Sequence, residues 1–433
     1  MRLFKIAVAL LLAAFMLIGC ISCSDDTDTD VPVTDSAADS ESEAETEKET
    51  EPEDTKKEDD KDKEDDKVEE EYTPITGEGK SIDIYLIAGQ SNASGSTRVT
   101  NASSAYEWAP ELKGGYSNVL YAGNSRSNDY DRDLPWQKTT LGLGISKHDG
   151  KTYMGPEAGM AKALSEYYNE ETGRMAGIIK YAAGGTSLQN KTSGTPHSYG
   201  NWVSPSYAKH LGVSYADSRP TGKLYRNLLA QVEKNVLQLC EEGYTDINIM
   251  GIYWMQGCND RTVPDVYDVA FKYFAKDIRD DLSELMNKYT VGDDDCGASE
   301  MPIIVGTISQ SQNLTKPSDE VVCKKFIEKQ KSFAESIENC YVVDNSQYAI
   351  TRLNPETGAV EVLGSDKWHW NQADALAIGE NVGRCILDNI LDKTSDNTPA
   401  DTPDDIPSSG EGLQSGDTGT LPEIDISNNP IIK

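Results

Sequence analysis

The chain has 433 residues, with 73 acidic against 40 basic side chains and a formal net charge of −33 at pH 7. A charge this negative argues against nucleic-acid binding, because the phosphate backbone would be repelled. The length is sufficient for one large domain with a full hydrophobic core and for further segments outside it.

The first residues have the pattern of an export signal. Arg2 and Lys5 precede an apolar run from Ile6 to Ile18, which is shorter than the about 20 residues that span a bilayer. Cations, an apolar run and a small residue before a cysteine are typical of a signal peptide. Leu17-Ile18-Gly19-Cys20 also resembles the lipobox of bacterial lipoproteins, which implies lipidation of Cys20 and a signal over residues 1–23. An ordinary cleaved signal beside a cysteine is the alternative.

Two segments outside the middle of the chain carry most of its negative charge. Residues 24–78 contain 25 acidic and 6 basic side chains, and residues 394–433 contain 8 acidic and 1 basic. Such segments cannot bury enough apolar surface to offset the loss of chain entropy. We predict a disordered acidic tether over 24–78 and a disordered acidic tail over 394–433. The tether is either a spacer from the membrane or wall, or a solvated segment without a partner.

Residues 79–393 are predicted to form one domain with strands and helices in alternation. Short, nearly continuous apolar runs predict buried strands, and apolar residues at helical spacing predict the helices between and after them. The predicted strands are Ile82–Ala88, Gly177–Ala182, Ile247–Trp254, Ile303–Ile308 and Tyr341–Asp344. The predicted helices are one that opens at Pro156, followed by Leu224–Leu239, Val266–Leu285, Val321–Ile337 and Ala373–Leu391. This alternation predicts an α/β fold of three layers, α/β/α, with a parallel sheet.

Two stretches interrupt the alternation and are predicted to be long loops. Val99–Lys151 and Thr186–Arg219 are rich in Gly, Ser, Asn, Asp and Tyr. Each begins soon after a strand end, where long loops commonly shape a substrate pocket. Simple elaboration of the surface is the alternative. Aromatic side chains such as Trp136 and Trp202 could stack on a sugar ring.

The six cysteines of the domain form no C-x-x-C pair, and only one histidine has a suggestive context, so we expect no metal site. They are Cys240, Cys258, Cys296, Cys323, Cys340 and Cys385. Export permits disulfides, and several pairings are open. Burial as small apolar residues is favoured for most of them.

Three predicted strands end in polar blocks, and a fourth block precedes the last helix. The blocks are Gly89-Gln90-Ser91-Asn92, Ala183-Gly184-Gly185-Thr186-Ser187, Gln256-Gly257-Cys258-Asn259-Asp260 and Asp366-Lys367-Trp368-His369. Ligands of open α/β sheets bind at the carboxyl ends of the strands. The order of the blocks along the chain therefore predicts one site at that edge.

These residue types fit acyl transfer. A serine hydroxyl needs a base, and His369 is the best candidate for activating Ser91. Asp366, three residues earlier, could fix the imidazole tautomer. The backbone N–H groups of Ser91 and Gly185 and the amide of Asn259 are candidate oxyanion donors. Each motif alone has an ordinary explanation, such as a turn serine, a glycine loop or a helix cap, and only their joint order favours a site.

The domain resembles the SGNH (GDSL-type) hydrolases, and within them the carbohydrate acetylesterases of the sialate O-acetylesterase type. The resemblance covers about residues 80–392 through the four blocks and through Gly155-Pro156-Glu157. It implies that Ser91 is the nucleophile, His369 the base, Asp366 the orienting acid, and Gly185 and Asn259 the oxyanion donors. The third block departs from the usual Gln-Gly-Glu-Ser-Asp, with Cys258 for Glu and Asn259 for Ser, which puts the sugar specificity of that branch in doubt.

Cys258 is expected to be a small buried residue, with a nucleophilic role as the alternative. Gln90 and Gln256, which belong to the first and third blocks, are predicted to contact substrate.

We therefore predict an exported, membrane-anchored serine esterase that removes O-acetyl groups from carbohydrate. It needs no cofactor, takes an acetylated carbohydrate as partner, and is expected to be a monomer attached through Cys20. One alternative is a catalytically silent carbohydrate-binding lipoprotein. Another is an esterase for non-sugar short acyl esters. The sequence does not indicate which acetylated glycan is the substrate.

Overall fold

The structure is a computed structural model that describes residues 79–124, 133–145, 149–190, 200–216, 219–289 and 295–391. The predicted signal with Cys20, the tether over 24–78 and the tail over 394–433 lie outside the described residues.

Eleven strands are described. In chain order they are β1 (Lys80–Gly89), β2 (Thr97–Arg98), β3 (Tyr116–Asn124), β4 (Asp133–Thr139), β5 (Tyr153–Met154), β6 (Met175–Ala182), β7 (Tyr244–Met255), β8 (Ile303–Gly306), β9 (Cys340–Val343), β10 (Thr351–Leu353) and β11 (Val360–Val362). Seven of them form one sheet in the order β4-β3-β6-β1-β7-β8-β9. The short pairs β2–β5 and β10–β11 are antiparallel.

The strands β6-β1-β7-β8-β9 are parallel and follow the 2-1-3-4-5 order of a flavodoxin-like sheet. Strand β3 extends this sheet in parallel, and β4 closes its edge in the antiparallel sense. All residues of β1 from Ile82 onward are buried, as a strand covered on both faces requires. The predicted α/β class with a parallel sheet is therefore confirmed.

Eight α-helices are described. They are α1 (Ser91–Ser94), α2 (Ala102–Trp108), α3 (Glu157–Tyr167), α4 (Pro205–Leu211), α5 (Lys223–Glu241), α6 (Pro264–Met286), α7 (Pro317–Glu335) and α8 (Gln372–Ile386), the last continued by a π-helical turn at Leu387–Leu391. Helix α3 packs on α8, and α6 packs on α4, α5 and α7.

The helices form one layer on each face of the sheet. The Tyr85 hydroxyl lies 2.7 Å from the hydroxyl of Tyr168, which follows α3. Trp254 pairs with Ala88 in the register of β1 and β7, and its ring centroid is 4.3 Å from that of Phe274 on α6. Because successive side chains of a strand point to opposite faces, Tyr85 and Ala88 mark the two sides of the sheet.

The predicted loops contain more structure than expected. Val99–Lys151 includes α2, a 3₁₀ turn at Pro110–Lys113 and the hairpin strands β3 and β4, while Thr186–Arg219 includes α4. The apolar core of β3 is only Val119–Ala122, flanked by Ser, Asn and Gly. Strand β3 lies between β4 and β6 and is stabilised by these neighbours rather than by its own propensity, which explains why the pattern did not predict it.

Of the two tryptophans expected in a sugar pocket, Trp202 belongs to the interior instead. Trp202 is buried, its ring centroid is 5.2 Å from that of Trp254, and its indole N–H donates to Thr186 Oγ1 at 2.9 Å. Trp136 lies on β4 and donates to the carbonyl of Asn235 at 3.1 Å. Because Trp202 is fully buried, the expectation that it stacks on sugar is corrected, whereas Trp136 is partly exposed and the expectation for it stays a prediction.

Cys240, Cys258, Cys296 and Cys323 are buried, whereas Cys340 and Cys385 are partly exposed. Across the described ranges, no three His, Cys, Asp or Glu side chains are grouped as a metal site would need. None of the helices described is both long and apolar enough to cross a membrane.

Candidate active site

Three strands of the sheet end at the same level. Gly89, the last residue of β1, pairs with Ala182 at the end of β6 and with Met255 at the end of β7. The three polar blocks predicted from the sequence begin directly after these paired residues. All three blocks therefore lie at the switch point of the sheet, between β1 and its neighbours, as the strand order requires.

Ser91 opens a one-turn helix that directly follows β1. Gly89 has φ +134°, and a Cβ there would stand 2.2 Å from the Met255 carbonyl oxygen. The turn ends at Gly95, which has φ +90° and donates from its N–H to the carbonyl of Ser91 at 3.0 Å. Because Ser91 occupies the first helical position, its N–H has no acceptor within the helix. A glycine at each end makes this sharp turn possible.

The back of the turn is packed against two further glycines. A Cβ on Gly95 would stand 2.7 Å from Gly144 Cα and 2.8 Å from the Gly155 nitrogen. The Ile145 N–H donates to the carbonyls of Ser94 and Gly95 at 3.2 and 3.1 Å. These contacts hold the turn that carries Ser91 from behind.

A buried ion pair supports the same wall. Lys180 Nζ lies 3.0 Å from Glu157 Oε2, and both side chains are fully buried. Glu157 Oε1 accepts from the Gly155 N–H at 2.8 Å, and Lys180 also donates to the Leu143 carbonyl at 2.9 Å. Burial lowers the pKa of Lys180. The Gly155-Pro156-Glu157 segment thus positions the turn from behind and does not line the site.

Asp366 and His369 are hydrogen bonded within one loop. His369 Nδ1 lies 2.8 Å from Asp366 Oδ2, and Asp366 Oδ1 accepts from the backbone N–H groups of Trp368 and His369 at 2.7 and 3.1 Å. The loop ends at Asn371, whose side chain caps α8 by accepting from the Asp374 N–H at 2.9 Å. The spacing of the Asp-x-x-His block is therefore that of a closed turn which orients the imidazole.

This loop docks on the turn that carries Ser91. The side-chain amide of Asn92 donates to the Trp368 carbonyl at 3.3 Å, and Thr97 Oγ1 donates to the Trp370 carbonyl at 3.2 Å. Residues on either side of His369 are thus bonded to Asn92, which directly follows Ser91, and to Thr97, the first residue of β2. Ser91 and His369 are both nearly buried, which makes this a sheltered corner of the surface.

The candidate oxyanion donors lie around the same corner. A Cβ placed on Gly184 would stand 3.5 Å from Ser91 Cβ, and the next residue, Gly185, is exposed with φ +69°. Asn259 is exposed, and its backbone N–H donates to Gln90 Oε1 at 3.4 Å. The second and third blocks therefore both lie beside the first.

The two predicted substrate-binding glutamines are largely occupied by the protein itself. Gln90 Oε1 accepts from the Gly257 N–H at 3.1 Å and from Gln256 Nε2 at 3.4 Å. Gln256 is 0% exposed and donates to the Thr186 carbonyl at 3.1 Å. Both side chains tie the three blocks together, and a contact with substrate stays a prediction.

Sequence reasoning assigned no role to Asp260, which is a hub of the site. This buried carboxylate accepts from Ser187 Oγ, from the Leu188 N–H at 3.0 Å, from Gln189 Nε2 at 2.6 Å and from Gln256 Nε2 at 2.8 Å. It fixes the loop that follows Gly185 to the end of β7. The signal was present in the sequence, since Asp260 closes the third block beside Asn259.

Cys258 is not placed as a nucleophile. It is 1% exposed, and burial raises the pKa of its thiol to about 12. Its carbonyl accepts from Arg261 Nη1 at 2.6 Å. A thiol of this pKa stays protonated at neutral pH, which agrees with its expected role as a small buried residue.

The comparison with protein families gives one match. The family model described as "Carbohydrate esterase, sialic acid-specific acetylesterase" (SASA) matches residues 81–384, a range that contains all four blocks. No curated protein matches the chain.

Solved structures of similar fold cover most of the chain at low identity. A protein from Arabidopsis thaliana is 16% identical over 71% of this chain and 98% of its own, with a TM-score of 0.42. NanS is 13% identical over 72% of this chain and 98% of its own, with a TM-score of 0.44. A carbohydrate acetylesterase from Xanthomonas citri is 12% identical over 72% of this chain and 57% of its own, with a TM-score of 0.39.

Proposed function

The chain belongs to the carbohydrate-esterase family of sialic acid-specific acetylesterases and is a carboxylic ester hydrolase, and from this premise we propose that Ser91, His369 and Asp366 are its catalytic triad. The family resemblance drawn from the four blocks is thereby confirmed, and the silent binding protein is set aside. The proposed reaction removes O-acetyl groups from carbohydrate.

The first step is acylation of Ser91. With a proton on Nδ1 held by Asp366 Oδ2 at 2.8 Å, the Nε2 atom of His369 is an acceptor. It takes the hydroxyl proton as Ser91 Oγ attacks the acetyl carbonyl. The tetrahedral oxyanion is stabilised by the backbone N–H groups of Ser91 and Gly185 and by the amide of Asn259.

Collapse of this intermediate breaks the ester bond. His369 returns the proton to the departing sugar oxygen, which leaves an acetyl group on Ser91 Oγ. Water then attacks the acetyl-enzyme with His369 as its base, and acetate leaves. These steps use only groups of this chain and one water.

One observation carries the proposal. The hydrogen-bonded Asp366–His369 turn is attached to the Ser91 turn through Asn92 and the Trp368 carbonyl. A surface ion pair would have no reason to be attached there. The test is turnover of 4-nitrophenyl acetate, and Ser91→Ala should abolish it because nothing else forms the acyl-enzyme.

Ser94→Ala is the matched control, since it removes a serine hydroxyl from the same turn. That hydroxyl donates to the Ser91 carbonyl at 3.0 Å, so its loss should lower stability more than turnover. Circular dichroism checks that both variants fold. Near-native turnover in Ser91→Ala would remove the serine-esterase mechanism.

We propose acetylated carbohydrate as the substrate and short alkyl esters as the competing class. Family membership supports the carbohydrate. Acetate release from a panel of acetylated polysaccharides identifies the sugar, and a series of esters from acetate to octanoate tests acyl length. A preference for octanoate would point to a lipase-like substrate instead.

We further propose that the protein is exported and anchored through a lipid on Cys20, with residues 24–78 as the spacer. The lipobox-like Leu17-Ile18-Gly19-Cys20 and the acidic composition that follows support this. A monomer is the expected state. An anchored esterase would act on glycans at the cell surface.

A further inference from the structure

An exposed tryptophan stands at the mouth of the site. Trp368 directly precedes His369 and is 39% exposed, although His369 itself is buried. Gly185 and Asn259 are the other exposed members of the candidate machinery. These three residues are therefore accessible to a substrate beside the nearly buried Ser91.

The main chain of Trp368 is held firmly in place. Its carbonyl accepts from Asn92 Nδ2 at 3.3 Å and from Gln312 Nε2 at 2.7 Å, and its N–H donates to Asp366 Oδ1 at 2.7 Å. Three hydrogen bonds at one residue fix the direction in which the side chain leaves the backbone. Because the backbone is already ordered, less conformational freedom is lost when the ring binds a ligand, which lowers the entropic cost of binding.

A cation covers part of the ring. The guanidinium carbon of Arg261 lies 5.2 Å from the centroid of Trp368, a cation–π distance. Arg261 Nη1 donates to the Cys258 carbonyl at 2.6 Å, which fixes Arg261 beside Asn259. The Trp368–Arg261 pair therefore bridges the third and fourth blocks.

We propose that Trp368 and Arg261 form a platform for the pyranose ring that carries the acetyl ester. This inference rests on the proposed function and assigns the sugar subsite of the same site. An aromatic plane packs against the apolar C–H face of a pyranose. A guanidinium has five N–H donors in a fixed fork, which suits hydroxyl and ring oxygens at the edge of that sugar.

The platform distinguishes sugar esters from small esters. Contacts remote from the scissile bond hold the reacting group in place, and ethyl acetate has no ring to make them. The measured quantity is the ratio of kcat/KM for a mono-O-acetylated methyl pyranoside to kcat/KM for ethyl acetate, both followed by acetate release.

Trp368→Ala should lower this ratio about tenfold, since loss of ~1.4 kcal/mol of binding is a factor of ten. The loss should appear mainly as a raised KM for the pyranoside. For Trp368→Phe, which keeps a smaller ring, the ratio should lie between that of the unaltered protein and that of Trp368→Ala. Arg261→Gln should lower the ratio in the same direction.

Trp108→Ala is the matched control, because Trp108 also has a cation over its ring, Lys162 Nζ at 4.6 Å, but lies on α2. Its ratio should match that of the unaltered protein. Equal losses of kcat/KM on both esters in Trp368→Ala and Trp368→Phe would mean that the residue only positions His369. Unchanged kcat/KM on both esters would mean that there is no platform. Either result overturns the inference. Absence of acetate release from both esters by the unaltered protein would instead refute the proposed function.

Discussion

Neighbouring side chains of the third block have opposite surroundings. Cys258 is buried and Asn259 is exposed, although the backbone of the block is held as one unit by Gln90. The Cys258 side chain packs in the interior, whereas the Asn259 side chain is open to solvent. Within two positions, one side chain is therefore buried by packing and the next is accessible, as the role proposed for Asn259 requires.

We predict that Cys258 is dispensable for chemistry. Burial raises its pKa to about 12, so the reactive thiolate is scarce near pH 8. Cys258→Ala should keep kcat close to that of the unaltered protein, and iodoacetamide should not inactivate the native enzyme. Alkylation of the denatured protein controls for the reagent. Inactivation that Cys258→Ala prevents would contradict the prediction.

Removal of the Asn259 side-chain amide should raise the free energy of the transition state. Asn259→Ala is expected to lower kcat by about 10²–10³, as loss of one oxyanion-hole donor does elsewhere. Steady-state kinetics on 4-nitrophenyl acetate measure it, with circular dichroism to verify folding. High residual activity would mean that the side-chain amide is not an oxyanion donor. The role of Asn259 would then be structural, through its backbone N–H, which donates to Gln90 Oε1 and is retained in the variant.

At the scale of elements, the site depends on how β1 ends. The strand passes into α1 through Gly89, and α1 ends after one turn at Gly95. The wall behind the turn has no side chains at Gly144 and Gly155, and there the backbones approach directly. A short helix after a central strand is thus fixed by packing from behind rather than by its own length.

We predict that Gly95→Ala disrupts this element. The added Cβ would meet Gly144 Cα at 2.7 Å, and φ is +90°. The free energy of unfolding should fall by at least about 1–3 kcal/mol, the usual cost of overpacking, and turnover should fall because the turn that carries Ser91 shifts. Chemical denaturation and kinetics measure the two effects.

Two other glycines serve as controls that separate backbone strain from close packing as causes of the lost stability. Gly173 has φ +63° with no atom near the added Cβ, and Gly114 has neither constraint. Gly173→Ala should show backbone strain alone, and Gly114→Ala should show little change in stability. If Gly95→Ala is no more costly than Gly173→Ala, the close packing behind the turn is not what holds it.

At the scale of the whole molecule, most of the net negative charge lies outside residues 79–393. The segments 24–78 and 394–433 carry 33 acidic and 7 basic side chains, a net charge of −26 out of −33 for the chain. Like charges at this density repel one another and other anions. A charged spacer between a lipid anchor and an enzyme would keep the catalytic domain away from an anionic surface.

We predict that Cys20 decides where the protein resides. Cys20→Ala should move the protein from the membrane to the soluble or culture fraction. Stable anchoring needs two or more lipid chains, and the variant has no cysteine at this position to carry them. Fractionation followed by immunoblotting measures this. Cys23→Ala is the matched control and should remain in the membrane. A Cys20→Ala protein that stays membrane-bound would exclude the lipid anchor.

The sequence by itself determined the parallel α/β sheet and the four blocks. Strands such as Ile82–Ala88 are continuous apolar runs, and residues at the ends of parallel strands must share one edge of the sheet. Asp366 and His369 are close in sequence, so their contact was predictable. Local pattern was sufficient wherever burial or short spacing dictated the result.

Only the tertiary structure decided the remainder. The β3–β4 hairpin is stabilised by its pairing with β6, and its own residues are too mixed to indicate a strand. Trp202 and Trp368 are the same residue type, yet one is enclosed by Trp254 and the other is exposed beside Arg261. The role of Asp260 depends on donors more than 70 positions away along the chain. These outcomes follow from contacts between distant segments, which composition and periodicity do not encode.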